Sequence, residues 1–278
     1  YPVTISSRAF SEAEKQWLAE HTQLRVGYLN NYLPYSGTGE SGSATGLVRD
    51  LVPRMLESLN IGHIQVTFIG FDSYDGMITA LGTGEIDTAF PVGGGMYYSE
   101  ENGIFQTTAV VSTATQLVHN GEYTGNTTAH FAVNENNRMQ YYFVVTNFPN
   151  AEITMYSSID ACLEAVVAGE VNCTTLNGLR ANDILKNTKY KDLALHHLAR
   201  NDDRCFGVEI GNEGLLKLLN RGINVVGSDY AQNIFYRCTS ELYSYTLTDM
   251  LREHMGLFAT LIITIGFVII YLLIRAPC

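Results

Sequence analysis

Two stretches of this chain share one design: "ALGTGEIDTAF" from Ala80 to Phe90 and "VVAGEVNCTTL" from Val166 to Leu176. In each, an apolar stretch of helical character meets Gly-Glu, then Ile or Val, then Asp or Asn, then a β-prone run. Gly84 and Gly169 supply the residue tolerant of positive φ that a helix C-terminus needs. Asp87 and Asn172 open the strands, where a short polar side chain bonds to neighbouring backbone. The joint is architectural and carries no chemistry. Its recurrence about 85 residues on predicts the same position in two α/β lobes. A solenoid would need at least three copies.

The elements around the joints fit that plan. Ser11–His21 reads as a helix with Ser11 as cap and Glu14 completing a capping box. Leu24–Leu29 alternates as a strand, and a turn-rich loop follows over Ser36–Thr45. Gly46–Leu59 carries Leu47, Leu51, Met55 and Leu59 at helical spacing. Ile64–Ile69 is a strand, Tyr74–Leu81 a short helix and Ile86–Phe90 a strand. This order calls for a parallel sheet covered by helices. The β-branched run Thr107–Val118 is longer than a typical strand and reads as a crossing between two bodies. The scheme then restarts: strand His130–Val133, helix Arg138–Asn147, strand Glu152–Tyr156, helix Ser158–Ala168, strand Asn172–Leu176. Phe206–Ile210 reads as the return crossing, and Glu213–Asn220 and Ser228–Cys238 as helices closing the first lobe.

Composition narrows the function. The net charge is −11, from 17 basic against 28 acidic residues, with no basic cluster to offset it. Such a surface repels phosphate backbones, so no nucleic-acid partner is expected. Leu257–Ile274, "LFATLIITIGFVIIYLLI", contains no charge and reaches the roughly 18–20 apolar residues of a spanning helix. Thr260 and Thr264 are tolerated in lipid because their hydroxyls bond back to the helix backbone. The chain opens without a signal-peptide pattern, and Tyr1 reads as a cut edge. Four cysteines precede the span: Cys162, Cys173, Cys205 and Cys238. An even count in a non-cytosolic domain predicts two disulfides. Three pairings are open. Cys162–Cys173 with Cys205–Cys238 is preferred, the first tying a helix to the strand after it. Cys278 would lie across the membrane and stay reduced.

"LRVGYLNNYLPYS" (Leu24–Ser36), "GLVRDLVPRML" (Gly46–Leu56), "YDGMITALGTGEIDTAF" (Tyr74–Phe90) and "GEVNCTTLNG" (Gly169–Gly178) resemble family 3 extracellular solute-binding proteins. The match runs from about Leu24 to Cys238. "FSEAEKQWLAEHTQLRVGY" (Phe10–Tyr28) resembles more narrowly the sensor domains of bacterial membrane-bound signalling proteins. The resemblance implies an α/β, two-lobed type II periplasmic-binding-protein-like (Venus flytrap) fold followed by one C-terminal transmembrane helix. The expected layout is a helical lead-in at 1–22, lobe one at 23–116 with 206–240, and lobe two at 117–205. A juxtamembrane connector at 241–255, the span at 256–274 and the start of a cytoplasmic part at 275–278 complete it. The soluble domain would be extracytoplasmic on a single-pass cell-membrane protein. It would bind a small molecule and signal to a histidine kinase or diguanylate cyclase type of module. A homodimer is expected from the resemblance alone. A membrane-tethered component of an ABC importer is the alternative, and an enzyme on the same fold the more distant one. No enzyme activity of the visible chain and no cofactor are expected.

The resemblance also nominates residues. Pro34 and Tyr35 match a Pro-aromatic element, and Tyr74 an aromatic position before the short helix; Tyr32 ranks behind both. In Pro91–Gly95, "PVGGG", Pro91, Gly93 and Gly94 offer bare backbone to a ligand. Amino-acid-binding members carry an Arg gripping the ligand carboxylate where this chain has Ser99, and an Asp pairing with the ammonium where it has Asn177. Losing both charges argues against a standard α-amino acid as ligand. A Gly-Ser-Thr turn of the family becomes Asn136-Asn137-Arg138 at a helix N-terminus, which attracts anions. Arg138 is therefore the expected replacement clamp. "GTGESG" at Gly37–Gly42 matches a dinucleotide pattern but does not open a helix directly after a strand, so a surface hairpin is expected. His196 and His197 would point to opposite faces of a strand, and no metal site is expected.

Overall fold

The computed structural model describes residues 9–93, 95, 99, 101–178, 181, 187–242 and 254–275. Helix α1 (Glu12–Glu20) begins with the predicted capping box: Ser11 Oγ accepts from the Glu14 amide (3.4 Å) and the Glu14 carboxylate accepts from the Ser11 amide (2.6 Å). Strand β1 (Gln23–Leu29) leads to β2 (Asn31–Tyr32), β3 (Ser36–Thr38) and β4 (Ala44–Thr45), a small antiparallel sheet. The end of β3 and the turn to β4 hold "GTGESG", with the Gly39 amide donating to Ser43 O at 2.9 Å. The surface hairpin is there. Helix α2 (Leu47–Ser58) buries Leu47, Leu51 and Met55, the face its spacing predicts. Then come β5 (Gln65–Phe71), α3 (Tyr74–Gly82), β6 (Thr88–Val92) and β7 (Ile104–Gln106).

Strand β8 (Val111–Asn120) crosses over, and the second half follows. It consists of β9 (His130–Asn134), α4 (Arg138–Asn147), β10 (Glu152–Tyr156), α5 (Ile159–Ala168) and β11 (Cys173–Asn177). Strand β12 (Leu193–Glu209) returns, followed by α6 (Glu213–Val226), α7 (Ser228–Leu242) and α8 (Met255–Arg275). In lobe one β5, β1 and β6 run parallel, with β12 antiparallel to β6 and β7 beside it. In lobe two β10, β9 and β11 run parallel, with β8 and then β12 antiparallel beyond them. The return crossing is therefore far longer than the expected Phe206–Ile210. The polar run "HHLARNDDR" lacks a strand signature of its own. It is held extended because Leu193–Arg204 pairs with β8 across a bulge between Leu198 and Asn201.

The two joints superimpose in their bonding. Gly84 and Gly169 both adopt φ +75. The Glu85 and Glu170 amides donate to Ala80 O (2.9 Å) and Ala165 O (3.0 Å), which closes each helix. The Asp87 and Asn172 amides then start the strands by donating to Arg25 O (2.9 Å) and His130 O (3.0 Å). The joints differ in charge. The Asp87 carboxylate accepts from the Arg25 amide (2.7 Å) and from its guanidinium (2.5 and 3.1 Å), whereas Asn172 is exposed.

Helix α1 locks onto α6. A β-carbon at Gly214 would lie 2.4 Å from Ala13 O, so only glycine admits this approach. Arg221 of α6 donates to the buried Glu14 carboxylate at 2.7 and 2.9 Å.

Neither preferred disulfide forms; Cys162, Cys173 and Cys205 are buried free thiols. Strand alternation is the reason for the first pair. Cys173 packs with Phe131, Phe143 and Val144, while Thr174 and Leu176 turn to the other face of the sheet, where α5 sits. Cys162 lies on that face, among Ala165, Val166 and Val171. The sheet separates the two sulfurs. Cys205 is on β12 beside Arg204, and Cys238 is on α7 against the lobe-one core. Burial pushes the Cys162, Cys173 and Cys205 thiols up to about 12.

Residues 243–278 form a separate unit. Within it α8 runs 21 residues, long and apolar enough to cross a membrane, and none of its described residues is buried. Thr260 and Thr264 donate to Gly256 O (2.8 Å) and Thr260 O (2.7 Å), the back-bonding expected of spanning hydroxyls. Most of the connector, 243–253, and Cys278 lie outside the described residues.

Two outcomes follow from this packing. In the native chain Cys162, Cys173 and Cys205 resist maleimide at neutral pH, and all three label after urea unfolding with no reductant added. Label appearing only after reduction would restore the disulfides. Asp87→Ala leaves partly buried donors of Arg25 without their acceptor and lowers the unfolding free energy by about 1–2 kcal/mol, whereas Asn172→Ala changes it by under about 0.5 kcal/mol; urea titration of the two variants distinguishes them.

Candidate functional site

The lobes meet where the carboxyl ends of their parallel strands face each other, the place where open α/β sheets hold ligands. The crossing strands β8 and β12 form the floor. Between the lobes lies a cavity of about 40 Å³. Lobe one contributes Tyr32 and Tyr35, lobe two Asn137, Gln140, Phe143 and Asn177, and the floor Thr115, Asp202 and Arg204.

Arg204 is the one buried arginine or lysine among the described residues. On β12 it shares a face with Asp202, two residues away, because strand side chains alternate. The guanidinium is fully used. Nη1 donates to Asp202 Oδ1 and to Asp203 O (3.1 Å), and Nη2 to Asp202 Oδ2 (2.8 Å) and Tyr32 OH (2.9 Å). Nε donates to Tyr32 OH at 3.3 Å. The Tyr32 and Tyr35 rings stack 5.3 Å apart, with the guanidinium carbon 5.8 and 5.6 Å from their centres. Burial opposes this charge, and the Asp202 carboxylate more than compensates, so the Arg204 pKa is raised well above its ordinary value.

The lobe-two wall reaches across the seam. Asn177 Nδ2 donates to Tyr35 OH (2.8 Å) and to Thr113 Oγ1 on the floor (2.7 Å). Burial pushes the Tyr35 hydroxyl up, so it stays neutral. Asn137 caps α4, its Oδ1 accepting from the Gln140 amide at 3.2 Å. Gln140 is held in turn, its Oε1 accepting from the Asn134 amide (3.0 Å) and its Nε2 donating to Thr175 O (3.1 Å). Thr115 Oγ1 is buried and has no hydrogen-bond partner among the described residues.

Of the nominated residues, Tyr35, Asn137 and Asn177 line this cavity. Tyr74 is buried in the seam nearby, its ring edge-on to Tyr142 of α4 at 6.3 Å. Gly93 packs against the floor: a β-carbon there would lie 3.1 Å from Arg204 Nη1 and 3.4 Å from Met139 Sδ. Pro91 is buried within β6, and Gly94 lies outside the described residues. Ser99, whose Oγ accepts from Gln106 Nε2, lines a wider groove of about 760 Å³. That groove shares Phe143 and Asp202 with the small cavity. Asn136 braces the β9–α4 turn, its Nδ2 donating to Ser157 O (2.9 Å). Arg138 does not line the cavity. It stands at the rim with Nε 3.7 Å from the Asp75 carboxylate across the seam, and it lies over Tyr141 at 5.2 Å.

The arginine at the heart of the cleft is therefore Arg204, which sequence reasoning missed along with Asp202, Thr115 and Gln140. Its signal was "DDR" at Asp202–Arg204, where alternation sets carboxylate and guanidinium side by side once the segment is read as a strand. Of the two adjacent histidines, His196 stacks on Tyr123 at 3.8 Å and His197 Nδ1 meets Gln116 Nε2 at 3.2 Å, on opposite faces. Among the described residues no three His, Cys, Asp or Glu side chains group as a metal site.

No family model and no curated protein matches the chain. Solved structures do. The periplasmic VFT2 domain of BvgS from Bordetella pertussis is 17% identical, with 83% of this chain covering 99% of that one at a TM-score of 0.66. A histidine kinase sensor domain with similarity to periplasmic binding proteins is 15% identical, covering 81% and 97% at 0.59. An ancestral arginine-binding protein bound to arginine is 17% identical, covering 78% and 98% at 0.57. The fold of this chain is thus the two-lobed, periplasmic-binding-protein-like Venus flytrap.

Proposed function

We infer that the flytrap is the extracytoplasmic solute-sensing domain of a membrane-anchored signalling protein. A small molecule binds between the lobes, and the lobe movement passes through α8 to a cytoplasmic module of histidine kinase or diguanylate cyclase type. The observation that carries this reading is the cavity walled by both lobes and floored by both crossing strands. A solute touching all three surfaces discriminates between open and closed lobes, and it shifts that equilibrium only by its differential affinity. The resemblance of Phe10–Tyr28 to sensor domains, the apolar helix after the flytrap and the sensor-domain neighbours support the signalling role.

The side chains also favour a ligand that is not a standard α-amino acid. Asn177 brings an amide where an ammonium would need a carboxylate, and it is already bonded to Tyr35 and Thr113. Asp202 is tied to Arg204. At about 40 Å³ the cavity holds roughly one water-sized group. A larger solute enters when the seam parts along β8 and β12.

Thermal-shift screening of the detergent-solubilised chain against small metabolites tests this. A solute at about 100 times its Kd adds about 2.7 kcal/mol, a rise of several degrees for a domain of this size. Asn177→Ala weakens that solute about three- to tenfold, the range expected for loss of one hydrogen bond, and Asn136→Ala leaves it unchanged. A solute indifferent to Asn177 binds elsewhere and removes the cleft from the proposal. Carbonate extraction tests the anchor: the chain stays in the membrane pellet, and release into the supernatant would refute the span.

A further inference from the structure

The cleft contains a buried cation that no outside anion can reach as it stands. All five N–H groups of Arg204 are engaged, four of them by Asp202, Asp203 O and Tyr32 through the two Nη atoms. Asp202 binds with both carboxylate oxygens, the fork-to-fork geometry by which arginine holds free carboxylates. Both partners lie on β12, so the pair needs no lobe closure to form. Tyr32 and Tyr35 of lobe one lie over it.

The partners are not equally fixed. The Arg204 side chain is 3% exposed and the Asp202 side chain 18%. Arg204 is held from above by Tyr32 and the stacked rings, while Asp202 stands in the wall between the small cavity and the wide groove. It has a way out into the groove that leaves Arg204 in place. The space it would vacate adjoins the apolar Phe143 and Ile159 side chains and the unpartnered Thr115 hydroxyl.

We propose that Asp202 occupies the seat of a ligand carboxylate on Arg204, and that the solute of this cleft is a small carboxylate that displaces it into the groove. The proposal rests on the reading of the cleft as a solute site and gives that solute its chemical class. Binding is then an exchange of one carboxylate for another on the same guanidinium. The charge of the buried site is unchanged, so Arg204 is never left alone in the closed seam, the arrangement that makes broken buried pairs costly. The solute's tail lies on Phe143 and Ile159, and the Thr115 hydroxyl meets a second polar atom.

Asp202→Ala in the full chain empties the seat. In chloride this variant melts roughly 5–10 °C below the wild type, since it leaves a buried charge unpaired. Sodium acetate at millimolar concentration restores at least half of that loss. Acetamide and sodium chloride at matched concentration do not, and the wild type needs at least tenfold more acetate for an equal shift. Adding Arg204→Gln to Asp202→Ala abolishes the acetate response. Rescue by acetamide or chloride equal to that by acetate overturns the proposal, as does an acetate response no stronger than wild type. Should Asp202→Ala fail to fold, Asp202→Asn keeps the shape and removes the charge, and it binds acetate at least tenfold more tightly than wild type by titration calorimetry; equal affinity overturns the exchange. If acetate rescues nothing while the wild type binds an uncharged solute sensitive to Asn177→Ala, the exchange falls and the cleft reading stands. If no solute binds either chain, both fall.

Discussion

The ladder between β8 and β12 is the constraint on which the rest of the molecule depends. Ten registered residue pairs join the two strands, from Leu193↔Asn120 to Arg204↔Val111. Within a sheet every backbone N–H and C=O needs a partner, so the strands cross between the lobes together. Beyond Arg204 the pairing of β12 passes from β8 to β6 and β7, and at that handover it leaves one sheet and enters the other. Relative motion of the lobes must therefore bend this ribbon, and the irregularity between Leu198 and Asn201 supplies a point of added twist.

That ladder also fixes the chemistry of the cleft floor. Alternation along β12 sends Asp202 and Arg204 to the cleft side, while the Asp203 carboxylate accepts from Ser112 Oγ across the ladder at 2.5 Å. On β8 the same period brings Thr113 and Thr115 to the cleft side. Thr113 takes a hydrogen bond from Asn177, and Thr115 keeps its hydroxyl unpartnered. Two arginine–carboxylate pairs, each with one buried partner, illustrate what surroundings decide. Glu14–Arg221 joins α1 to α6 within one lobe, and the same carboxylate completes a helix cap, so it fastens two helices. Asp202–Arg204 borders a cavity on one side and a groove on the other, under tyrosines of lobe one.

Local signals carried the legible part of this fold. The Gly-Glu joints, the Ser11–Glu14 box and the apolar face of α2 are set by residues within a turn of one another, and all formed as read. Long-range pairing carried the illegible part. Nothing in "LHHLARNDDR" announces a strand, because its extended state comes from β8, about ninety residues earlier in the chain by the register Asp202↔Thr113. The cysteine pairing went wrong although period-2 alternation was available: Cys173 and Thr174 must face opposite sides of the sheet, and α5 with Cys162 covers only one. At the site, Tyr35, Asn137 and Asn177 were legible because they sit beside strand ends or helix caps that sequence could place. Arg138 was nominated on the same local logic, a cation at a helix N-terminus. Arg204 was missed because its place in the cleft exists only once β12 is known to cross it.

This shift of the cation from a lobe wall to the crossing strand alters what a solute would act on. An arginine on one wall lets a ligand bridge two bodies, and the hinge follows passively. Arg204 is part of the hinge ribbon, bonded to Asp202 on the same strand and to Tyr32 of lobe one. Gly93 leaves a β-carbon's space of only 3.1 Å beside its Nη1, so the β6 end of lobe one rests directly on the guanidinium. Arg204 thus touches both the strand that links the lobes and two segments of lobe one. Under the proposal above, coupling would need no long relay through packed side chains: the guanidinium that would meet the solute sits on β12, three residues beyond the irregularity that follows Leu198 and ends at Asn201.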